Sequence, residues 1–64
     1  MNQMDRDKVA VLTVIKHMGG DATFADVSLR AGEGLSSAVL ELVRENLLRK
    51  EGNRYFLEEQ SDAA

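Results

Sequence analysis

Glycine punctuation constrains this chain more than any other feature of its sequence. Gly19-Gly20, then Gly32 and Gly34, then Gly52-Asn53 mark the breaks and corners of the 64 residues, which read as four segments. The first is apolar-periodic and long enough for a helix. The second covers residues 23–31, the third begins at Gly34-Leu35-Ser36-Ser37, and the fourth turns back on itself at Gly52-Asn53. Glycine takes the left-handed backbone that ends helices and opens two-residue hairpin turns, so these positions read as stops and corners. The expected order is helix, short helix, helix, hairpin. That is a mainly α fold with a small β-hairpin (α+β), in which Asp21-Ala22-Thr23 can supply a third strand.

The apolar pattern fills in each segment. Val11, Val14, Ile15 and Met18 recur at spacings of three and four, one buried helical stripe. Asp5 or Asp7 can start that helix, where negative charge suits its dipole. Val9 and Leu12 fall outside the stripe's centre: either Leu12 packs under the hairpin and Val9 is a lone exposed apolar residue, or the two form a partner or dimer surface together with Phe56. His17 sits in the last turn and reads as structural. Thr23 can cap the short helix, with Asp26 three residues on completing a capping box. Phe24, Val27 and Leu29 or Ala31 are the expected inward contacts, with Phe24 as a core anchor. Ser36 or Ser37 can cap the third helix. Val39, Leu40, Leu42, Val43 and Leu47 then sweep out the buried arc. At about 100° per residue, Ser37, Glu41, Arg44 and Glu45 share the opposite face, with Ala38 at its edge. Asn46 takes the place of a terminating glycine.

A glycine-first two-residue loop suits a type II′ turn. The register then opposes Glu51 to Arg54, Lys50 to Tyr55, Arg49 to Phe56 and Leu48 to Leu57. Leu48, Tyr55 and Leu57 face the helices, while Arg49, Arg54 and Phe56 point outward. If the hairpin's cations are merely an ordinary solvated surface, Glu51 pairs with Arg54.

Size and charge limit what such a chain can do. A domain this short buries only about 60% of the surface of its unfolded chain, so its core is marginal. There is no cysteine and one histidine, which argues against a disulfide, a thiolate metal site or a His-rich zinc site. The net charge is −3, yet all eight Lys and Arg precede Tyr55 and are matched there by eight acids. Glu58, Glu59 and Asp62 in the tail carry the deficit. The body is neutral, and residues 58–64 read as an acidic disordered tail following a domain over residues 1–57. No apolar run approaches the roughly 18 residues of a membrane span, and the start lacks the regions of a signal peptide, so a cytoplasmic protein is expected.

The runs Ala22-Thr23-Phe24-Ala25-Asp26-Val27, Arg30-Ala31-Gly32, Gly34-Leu35-Ser36-Ser37-Ala38-Val39, Leu42-Val43, Asn46-Leu47-Leu48-Arg49 and Arg54-Tyr55-Phe56-Leu57 carry a resemblance. Together they resemble the winged helix-turn-helix superfamily, across residues 5–57. The pattern is similar to small bacterial and archaeal transcription regulators, including the isocitrate-lyase-regulator and multiple-antibiotic-resistance-regulator types. The resemblance implies that the third helix enters the DNA major groove while the wing and the second helix touch phosphates. Position by position, Ser36, Ser37, Ala38, Glu41 and Arg44 would be the reading residues. Thr23 would donate to a phosphate, and Arg49, Lys50 and Arg54 would be the wing's phosphate contacts. The implied function is a small DNA-binding transcription regulator acting as a homodimer, without cofactor.

A second expectation comes from charge. Glu41 and Glu45 outnumber Arg44 on the reading face, the hairpin is very short, and the body is neutral. These features suit a winged helix that docks a protein and binds little or no DNA. Enzymatic activity is not expected. Gly32-Glu33-Gly34 has no preceding strand and no third glycine, so it reads as a turn and not a phosphate loop.

Overall fold

The computed structural model describes residues 2–58. In chain order it contains α1 (Gln3–His17), β1 (Asp21–Thr23), α2 (Phe24–Ala31), α3 (Ser36–Arg44), β2 (Leu48–Glu51) and β3 (Arg54–Leu57). The strands form one antiparallel sheet in the order β1-β3-β2. This is the winged helix-turn-helix layout, with Asp21-Ala22-Thr23 as the third strand.

α1 begins earlier than its acids suggested. Asn2 is the cap, its side chain accepting from the Asp5 amide at 2.8 Å. Asparagine is among the strongest N-caps, and its position adds a turn that places Asp5 and Asp7 inside the helix. The C-terminus closes as expected. Gly19 and Gly20 take φ of 99° and 106°, and the Gly20 amide donates to the Ile15 carbonyl at 3.0 Å.

The core joins Val11 and Ile15 of α1 to Ala22, Val27, Leu35, Ala38, Val39, Leu42 and Leu48. Of the expected inward contacts, Val27 is buried, and Ala31 rather than Leu29 packs against this cluster. Phe24 is half-buried at the edge of this cluster, and Leu29 is 85% exposed. α2 has only eight residues. Val27 and Ala31, one turn apart, take its inward row, so Leu29 falls on the far side.

α3 is rotated relative to the expected phase. Leu35, not a serine, occupies its N-cap position, and no side chain caps it. Leu35 is buried, and Ala38, Val39 and Leu42 follow it at helical spacing into the core. With that row inward, Ala38 is 1% exposed and Leu40 is 62% exposed, the reverse of their expected roles. After α3, Asn46 takes φ 62° as the left-handed residue.

The hairpin has the expected register, from Leu48↔Leu57 to Glu51↔Arg54. Gly52 has φ 63° while Asn53 is not among the left-handed residues, the combination a type II′ turn requires. Glu58, assigned above to the tail, is tied to the domain: its amide donates to the Leu47 carbonyl at 3.1 Å. The rest of the expected tail, residues 59–64, lies outside the described residues.

The α2 capping box is complete. Thr23 Oγ1 accepts from the Asp26 amide at 3.1 Å, and Asp26 Oδ2 accepts from the Thr23 amide at 3.3 Å. The backbone hydrogen bond from Thr23, then the one from its side chain, hold the Asp26 pKa below the ordinary 3.8. A depressed carboxylate stabilises the fold above its unfolded pKa and loses that contribution as pH falls through the folded value. Urea unfolding should therefore show an acid limb starting below about pH 4, and Asp26→Asn should flatten it. Thr23→Ala should cost about 1 kcal/mol at neutral pH.

Candidate nucleic-acid interface

α3 presents one exposed row. Ser36, Leu40 and Arg44 lie four residues apart, Ser37 lies beside them, and all four are exposed. Because Leu35 holds the cap position, neither serine hydroxyl is engaged in capping. Arg44 is 80% exposed at its side chain and Nη1 lies 3.4 Å from Glu41 Oε2. Glu41 is half-buried on the flank of this face, in place of its expected centre. Ala38 is inside the core and cannot meet a base edge.

Glu45 also leaves the reading face. It sits at the C-cap of α3, where its carboxylate accepts from Lys8 Nζ of α1 at 2.8 and 3.0 Å. The side-chain hydrogen bond that Lys8 donates to Glu45, reinforced by the carboxylate's charge, raises the Lys8 pKa above 10.5. One of the two acids that made this face look negative is thus neutralised by the scaffold helix.

The register sorts the wing's cations onto two sides. Ala22, Tyr55 and Lys50 form one cross-strand row, and Asp21, Phe56 and Arg49 form the next, on the opposite face. Ala22 is buried, so the first row faces the helices. There Tyr55 borders a shallow groove with Phe24, Ser36, Val39 and Leu40. Lys50 Nζ stands 6.0 Å from the Tyr55 ring centroid. Of the three wing cations, Lys50 is the one on the α3 side.

Arg49 and Arg54 lie on the outer face, and both are paired. Arg49 Nε meets Glu51 Oε2 at 2.6 Å, Nη1 meets Glu58 Oε1 at 3.0 Å, and the guanidinium covers Phe56 at 5.0 Å from its centroid. Arg54 pairs with Asp21 of β1, not with Glu51. Glu51 lies opposite Arg54 but is engaged by Arg49, and the central position of β3 lets Arg54 reach the other edge strand instead.

Thr23 is brought to the start of α2, but its oxygen is engaged in the capping box. Val9 and Leu12 line a second groove with Thr13, Lys16, Leu47, Leu57 and Glu58. Val9 is 53% exposed there. Phe56 does not join them, since it lies on the outer sheet face under Arg49. Sequence reasoning missed Leu40 as a member of this exposed row. The signal was Leu35: counting it as the first inward residue of α3 turns the face by the required amount.

Among the described residues, no helix is long and apolar enough to cross a membrane. Comparison of the chain with protein-family models, curated proteins and solved structures yields no match.

The outer-face ion pairs are solvent-exposed, so they should add little stability. A double-mutant cycle on Asp21→Ala and Arg54→Ala should give a coupling of about 0.2–1 kcal/mol in urea unfolding, shrinking in high salt.

Proposed function

We propose that this chain is a small DNA-binding transcription regulator that lays α3 in the major groove with the hairpin alongside. The observation that carries this reading is the exposed row Ser36, Leu40 and Arg44, with Ser37 beside it, set next to a hairpin that turns Lys50 to the same side. Arg44 is the side chain on that row able to make a bidentate contact to guanine. The free serine hydroxyls can bond base edges or phosphates. Lys50 supplies a phosphate contact from the wing. Arg49 and Arg54 contribute less than the family resemblance implies, because they lie on the outer sheet face away from α3 and are held there by carboxylates, whereas Arg44, with one longer ion pair to Glu41, stays on the exposed row.

A lone copy offers few phosphate contacts, so binding as a homodimer fits best, with the Val9 and Leu12 groove as the candidate dimer surface. The reading is of a cytoplasmic binding module without catalysis or cofactor. One observation favours a second reading. The strip between α3 and the hairpin is apolar at Phe24, Leu40 and Tyr55, which suits docking of a protein segment.

A salt titration separates the two. DNA binding predicts duplex affinity that falls with salt along a shallow log–log line, since each neutralised phosphate contributes a slope of about −0.9. Protein docking predicts no duplex binding even at low salt. Under the DNA reading, Arg44→Ala should weaken the preferred duplex by about 1–3 kcal/mol and relax the preference for guanine. Lys50→Ala should weaken all duplexes alike and flatten the salt slope by about one unit per bound copy, hence about two for a dimer. Duplex binding that ignores both substitutions would sink the proposal.

A further inference from the structure

We infer that Leu40 is a specificity-determining residue that reads the C5 methyl group of thymine. The inference rests on the DNA-binding reading and deepens it. Leu40 is 62% exposed in the middle of the row formed by Ser36 and Arg44, one helical turn from each. A large aliphatic side chain at that place cannot pair with a base edge. Major-groove edges present hydrogen-bond donors and acceptors, and thymine adds the one apolar group, its methyl. Against an amino or carbonyl edge, Leu40 would strip water from a polar group and return no hydrogen bond, which is unfavourable. Against the methyl it buries apolar surface on both partners. Leu40 therefore selects twice, by attraction to thymine and by rejection of the other bases.

The surroundings strengthen the argument. Leu40 borders the same shallow groove as Phe24, Val39 and Tyr55. A methyl group placed against Leu40 would meet apolar walls from α2 and β3 as well. Arg44 is four residues further along α3, about 6 Å at 1.5 Å per residue. Bases in one strand are spaced about 3.4 Å apart. The thymine read by Leu40 should thus lie about two base steps from the guanine read by Arg44.

The test starts from duplexes selected by the wild-type protein from a random pool. Each thymine near the guanine whose effect is lost in Arg44→Ala is replaced, one at a time, by deoxyuridine, which lacks the methyl. Wild-type protein should lose about fourfold in affinity at one such position, the equivalent of one buried methyl at about 0.8 kcal/mol. Leu40→Ala should bind the thymine and deoxyuridine duplexes equally. Leu40 is exposed, and unchanged circular dichroism of Leu40→Ala will verify that the fold is kept. The inference is overturned if selected sites lack thymine within three base pairs of that guanine. It also fails if deoxyuridine has no effect on the wild type, or if Leu40→Ala keeps the discrimination. In those cases guanine dependence on Arg44 leaves the DNA reading standing. Absence of any duplex binding at low salt overturns both.

Discussion

The rotation of α3 about its own axis is the constraint on which the rest of the molecule depends. Leu35, Ala38, Val39 and Leu42 face inward and share one buried cluster with Val11 and Ile15 of α1. Full burial of each large aliphatic side chain contributes about 1.5–3 kcal/mol, so this row is a large part of what a 64-residue chain can gather. Turning α3 by one residue, about 100°, would bury Leu40. It would also drag Ser36 toward the core and expose Leu42. A buried hydroxyl without a partner costs free energy, and the lost leucine adds to that cost. The observed phase is the one that keeps every polar residue of α3 out of the core. Leu40 is left outside as a consequence, between Ser36 and Arg44.

The same phase governs the electrostatics. Because α3 ends where Glu45 can reach back to Lys8, an acid that would oppose phosphate is tied to α1 instead. On the sheet, alternation of side chains separates Lys50 from Arg49 and Arg54, and the outer face then compensates its own charge through Asp21, Glu51 and Glu58. These pairs are exposed and add little to stability. Their effect is to lower the field that the protein presents to a polyanion. Any affinity for DNA must then come from close contacts along α3 more than from long-range attraction.

Much of this was legible in the sequence where local chemistry decides the conformation. Gly19-Gly20, the Thr23–Asp26 capping box, Asn46 and the Gly52-Asn53 turn each act over a few residues, and the hairpin register follows from the turn alone. The failures share another origin. A helical phase counted from Val39 and Leu40 puts Ala38 outside and Leu40 inside, but burial is decided by geometry across elements. A small Ala38 belongs to the inward row because Leu35 and Leu42 bracket it at helical spacing. The Arg54–Asp21 pair depends on a contact that local spacing does not reveal, since β1 lies 31 residues or more away in the chain and comes alongside β3 only in the folded sheet. A polar N-cap is the local preference at the start of each helix, yet α3 begins on a buried leucine. There, tertiary burial outweighed a local preference of about 1 kcal/mol.

A neutral, marginal domain gains most by dividing its surface. The groove around Val9 and Leu12 shares no residue with the exposed row of α3, so a second copy on the first would leave the second free. The two surfaces are joined through the core, since Val11 and Ile15 of α1 pack in one cluster with Ala38 and Leu42 of α3. Under the proposed function, dimerisation would set the spacing of two α3 helices without touching their reading residues. Affinity would then arise from doubling a small set of contacts, and specificity from the row itself. Few charges are needed for that design. An excess of them would favour every duplex alike and dilute whatever Arg44 and Leu40 distinguish.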